Sequence, residues 1–68
     1  MLTVEIEHEE DGRWLADVPA LPGVLAYGAS DAEARAKAEA LALRVLADRI
    51  EHGELVPPEA RELFATAA

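Results

Sequence analysis

Between Asp11 and Ala34 the chain is punctuated wherever a backbone would have to turn, and this confines the fold to a few topologies. Asp11-Gly12 reads as a hairpin turn, because glycine takes up the positive φ such turns need without steric cost. Val18-Pro19 closes the run that follows, and Pro22-Gly23 combines a fixed φ with a permissive one, as a type II turn requires. Ser30 followed three residues later by Glu33 is a capping box and predicts a helix start. All of these local signals favour the same order of elements.

Around that punctuation the hydropathy alternates. Leu2, Val4 and Ile6 interleave with Thr3, Glu5 and Glu7, a period of two that predicts a strand over residues 2–8 with one apolar face. Further strands are expected at 13–18, where Trp14, Ala16 and Val18 oppose Arg13, Leu15 and Asp17, and at 23–28, where Val24 and Ala26 oppose Leu25 and Tyr27. The short connections favour an antiparallel meander.

The period then changes. A helix is expected over 31–52, ended by Gly53 in the left-handed position after its last turn. At 100° per residue Ala34, Ala38, Leu41, Ala42, Val45 and Leu46 share one stripe, and Glu33, Lys37, Arg44, Asp48 and Glu51 a charged one. Ala36, Leu43 and Ile50, with Ala40 and Ala47, make the remaining face apolar as well. A helix apolar on two sides has something against both, so this strip is the expected face for self-association. After Pro57-Pro58 either a helical turn or two over 59–64 or a short strand over 63–67 fits the sequence. The fold class is therefore α+β: a three-stranded antiparallel sheet with one long helix across one face, a single domain over 1–68 with Val4, Ile6, Trp14, Val18, Leu41 and Val45 as the main core.

Sixty-eight residues bury only roughly 60% of their unfolded surface, so a chain this small gains from staples or partner subunits. The absence of cysteine removes disulfides and thiolate zinc sites. Fourteen acidic residues against six basic ones give a net charge of −8. That balance disfavours direct binding to nucleic acid, which needs cations to displace phosphate counterions, and favours a basic protein partner. The start MLTVEIEHEE has neither the basic nor the apolar region of a secretory signal, and no apolar run is long enough to span a bilayer. A cytoplasmic protein with no membrane partner is expected.

Candidate chemistry is thin. His8, Glu9, Glu10 and Asp11 are potential ligands, but neighbouring side chains at a strand end point alternately to opposite sides, whereas a metal needs them to converge. His52 falls in the last helical turn, where an imidazolium complements the helix dipole. Ser30 is accounted for as a cap, and no nucleophile-base pair is apparent. The glycines sit at turn spacings and form no phosphate loop. No catalytic residue, metal, cofactor or small-molecule substrate is expected, and the chain is read as a non-enzyme.

The segment Asp11-Gly12, Trp14 to Asp17, Val18-Pro19-Ala20-Leu21-Pro22-Gly23, Val24 to Gly28 and Ser30 to Ala34 resembles the core of the HicB family of bacterial antitoxins, and with its surroundings the resemblance covers about the first 57 residues. It implies a truncated ribonuclease-H-like sheet and helix, and an antitoxin function: masking a small basic mRNA-cleaving toxin of the HicA type. Strand carboxylates of a ribonuclease H hold metal ions, and Glu5, Glu7 and Asp17 share a face here. Leu15, Leu25 and Tyr27 share it too, however, which reads as a contact surface rather than a two-metal centre. Family members that repress their own operon continue into a helix-turn-helix or ribbon-helix-helix segment. The residues after Pro58 are too few for either, so promoter binding is not expected. Glu5, Glu7, Leu15, Asp17, Leu25 and Tyr27 are thus the candidate partner-binding residues, and Ala36, Leu43 and Ile50 the candidate oligomer face. The competing reading is a homo-oligomeric structural module with no toxin partner.

Overall fold

The computed structural model describes residues 1–67. Strands β1 (Glu5–His8), β2 (Trp14–Asp17) and β3 (Leu25–Gly28) precede the long helix α1 (Asp31–Glu51) and the single-turn helix α2 (Pro58–Arg61). The strands form one antiparallel sheet in the order β1-β2-β3, and α1 packs across one face, mainly over β2 and β3. The α+β meander and the long helix agree with the sequence reading. After Pro57 the chain takes the helical course, and residues 63–67 form no strand.

The turns follow the expected chemistry. Gly12 has φ +91°, and the hairpin is closed by the N–H of Glu9 donating to the Arg13 carbonyl at 2.8 Å and that of Gly12 to the Glu9 carbonyl at 3.0 Å. At the second turn Gly23 has φ +89° and the N–H of Val24 donates to the Leu21 carbonyl at 2.9 Å, the i to i+3 bond of a type II turn. The N–H of Val18 donates to the Val24 carbonyl at 3.0 Å, so the Val18–Val24 loop closes on itself.

At the start of α1 the N–H of Glu33 donates to Ser30 Oγ at 3.1 Å. Glu33 reaches back to the N–H of Ala29 at 3.3 Å, one residue before the cap. At the other end the N–H of Gly53 donates to the Ile50 carbonyl at 3.2 Å and that of Glu54 to the Arg49 carbonyl at 2.8 Å. With Gly53 at φ +68° this is a Schellman motif, which satisfies carbonyls that the helix end leaves without partners.

The core lies elsewhere than the strand pattern predicts. Ala16, Val18, Leu21, Val24, Ala34, Ala38, Ala42, Leu46 and Ala60 are buried, and Leu21, in the loop between β2 and β3, is fully so. Of the expected core only Val18 is buried. Val4, Trp14, Leu41 and Val45 are half-buried at its margin, and Ile6 is 39% exposed. The reason is the offset of the helix. Ala34 and Ala38 have no side chain beyond Cβ, so α1 lies close to β3, and a groove lined by Ile6, Asp31, Ala32 and Arg35 remains above β1. Leu2 and Val4 pack against the core but stand outside the ladder, so β1 is shorter than expected. Trp14 stacks on its cross-strand neighbour His8, with ring centroids 4.0 Å apart and planes 4° from parallel.

Candidate protein-binding face

The sheet register decides which side chains meet on the face turned away from α1. Glu5 pairs with Asp17 and Asp17 with Leu25; Glu7 pairs with Leu15 and Leu15 with Tyr27. Side chains directly opposite across a ladder point to the same side. The candidate partner-binding residues therefore form two adjacent rows, Glu5-Asp17-Leu25 and Glu7-Leu15-Tyr27. Charge is graded across them, with the carboxylates of β1 at one edge and the apolar and aromatic side chains of β3 at the other.

The acidic half is electrostatically uncompensated. Like charges directly opposite on a ladder repel, and Glu5 faces Asp17 in this way. Asp17 Oδ1 is buried and has no hydrogen-bond partner. Glu5, Ile6, Glu7, Leu15 and Asp17 line a shallow cleft there. The ion pairs among the described residues lie elsewhere.

The apolar half is Leu25, 46% exposed, and Tyr27, 40% exposed, beside half-buried Leu15. The guanidinium of Arg13 lies over the Tyr27 ring at 4.2 Å from its centroid. Arg13 Nε also donates to Asp11 Oδ2 at 2.7 Å, and the Arg13 N–H to Asp11 Oδ1 at 3.0 Å. Chiefly that backbone hydrogen bond, aided by the guanidinium, holds the Asp11 carboxyl below its usual value. Arg13 was the residue missing from the candidate set. Its alternation with Leu15 and Asp17 was the available signal.

Two further groups of potential ligands can be placed. His8 is taken up by Trp14 and Asp11 by Arg13, so the hairpin residues do not converge. Ligand atoms of Asp48, His52 and Glu54 do lie within 4.8 Å of one another, all on exposed residues. His52 Nδ1 is 2.7 Å from the Asp48 carbonyl. A carbonyl only accepts, so Nδ1 is the donor and the ring serves to close the helix end. This grouping depends on the Gly53 turn bringing Glu54 back towards α1, which residue spacing alone does not reveal.

On α1, Ala36, Leu43 and Ile50 are exposed, Leu43 at 58% and Ile50 at 55%. They stand on the solvent side of the helix, away from the sheet. No helix among the described residues is long and apolar enough to cross a membrane. Comparison with protein-family models, curated proteins and solved structures finds no match.

Proposed function

We propose that this chain is a protein-binding domain of the HicB antitoxin type, acting in the cytoplasm by covering a small basic mRNA-cleaving toxin rather than by catalysis. The observation that carries the reading is the pair of rows Glu5-Asp17-Leu25 and Glu7-Leu15-Tyr27. Apolar anchors beside unpaired charge make a recognition surface, and with a net charge of −8 the complementary partner is basic. Opposite charge speeds the encounter and selects the partner. A cation of the partner set between Glu5 and Asp17 relieves their repulsion, while Leu15, Leu25 and Tyr27 supply apolar contact. A toxin held there presents its own cationic surface to carboxylates and is closed to RNA. The motif from Asp11 to Ala34 supports the family side of this reading.

The test is co-expression with the product of a neighbouring basic reading frame, followed by pull-down and an RNA-cleavage assay. A stable complex with cleavage suppressed is expected. Combining Tyr27→Ala with Glu5→Lys should release the toxin while leaving the fold intact, and a complex untouched by that pair of changes refutes the assignment of the face. The second reading, a homo-oligomeric structural module with no toxin partner, is favoured by one observation of its own, the exposure of Leu43 and Ile50.

A further inference from the structure

On its solvent side α1 carries a second apolar seam. Ala36, Ala40, Leu43, Ala47 and Ile50 follow one another at alternating steps of four and three residues, the spacing at which one helix seats against another. The positions α1 buries against the sheet, Ala34, Ala38, Ala42 and Leu46, centre on a direction roughly 140° away at 3.6 residues per turn. Ala40 is partly covered within the chain, while the other four seam residues are exposed, the two bulky ones by more than half.

We propose that this seam binds the same seam of a second copy, with the two α1 helices antiparallel. Size complementarity selects that direction. In an antiparallel pair Leu43 meets Ala47 of the second copy and Ile50 meets its Ala40, so each bulky side chain fills the space an alanine leaves. A parallel pair stacks Leu43 on Leu43 and alanine on alanine, alternately crowding and opening the interface. Charge agrees: Lys37, Arg44 and Glu51 lie along one flank of the seam, and the antiparallel register sets Lys37, which also holds Glu33 of its own chain at 3.1 Å, beside Glu51 of the second copy, twice by symmetry. The same register places Arg44 near its own counterpart at the axis, the one repulsive contact of the set. A seam this short covers less than the roughly 800 Å² per partner of a standard interface, so association is reversible and in the micromolar range. Because α1 and the outer sheet face lie on opposite sides of the sheet, the dimer leaves two acidic faces open, one at each end. The pairing stands whether or not a toxin exists.

Sedimentation equilibrium of the 68-residue chain, from micromolar to millimolar concentration, tests the pairing without any partner protein. A monomer–dimer equilibrium is expected. Leu43→Glu, at an exposed site where circular dichroism can verify the fold, should weaken it by about 100-fold or more. Glu51→Lys should weaken it too, adding Lys37→Glu to the same chain should restore it, and Arg44→Ala should tighten it. A monomer across the whole range, or a dimer indifferent to Leu43→Glu, overturns the proposal. Failure of the double charge reversal to restore association overturns the antiparallel register.

Discussion

Gly28 in β3 lies so close to α1 that a Cβ built on it would stand 2.5 Å from the backbone nitrogen of Ala34 and 3.0 Å from its Cα. Both neighbours are main-chain atoms inside the first turn of a capped helix and cannot rotate aside. Gly28→Ala should therefore push α1 off the sheet and cost about 1–3 kcal/mol, towards the upper end of what overpacking usually costs. In a small domain that is a large share of the total. Urea unfolding measures it, and a midpoint matching the parent would show that the helix has room to move.

Leu21→Ala should be the most damaging truncation. The side chain is fully buried although it stands in a loop, and leucine truncations at such sites cost about 2–5 kcal/mol. Leu41→Ala, at a half-buried position, should cost clearly less. If the two fall in the reverse order in a denaturant series, the core is centred on the helix stripe instead of the loop.

Asp17→Asn should separate stability from binding. It removes the charge that faces Glu5 across the ladder, on a carboxylate whose Oδ1 is buried without a hydrogen-bond partner. The free protein should gain about 0.2–1 kcal/mol, the scale of a cross-strand pair. Binding to a basic partner should weaken about tenfold or more, because a charge-assisted contact is lost. Thermal melts and titration calorimetry read the two effects, and a variant that is both less stable and equally tight contradicts the assignment.

The Glu33 carboxyl is held below its ordinary value, first by the hydrogen bond from the Lys37 ammonium and then by the N–H of Ala29. A carboxylate favoured in this way contributes its stability above its unfolded-state pKa and loses it as pH falls through the lower native value. The stability difference between the parent and Glu33→Gln should therefore be widest near neutral pH and close on acidification. Urea unfolding at several pH values checks the sign, and a gap that widens towards acid is the contrary result.

Elements whose signals are local were legible in the sequence. Gly12, Gly23 and Gly53 take the positive φ their positions demand, Ser30 caps α1, and two-residue alternation was enough to put Glu5, Glu7, Leu15, Asp17, Leu25 and Tyr27 on one face once the register aligned the strands. Turn chemistry and periodicity act over a few residues, so the chain states them directly. The location of the core was not stated in this way. Ile6 has the pattern of a core residue, yet it is exposed because α1 settles over β2 and β3; Leu21 has the pattern of a loop residue, yet it is the most deeply enclosed of the large side chains. Where a helix rests on a sheet depends on how near two backbones can approach, here at Gly28 and Ala34, and which strands it then covers is decided only when α1 packs on β2, a strand well before it in the chain.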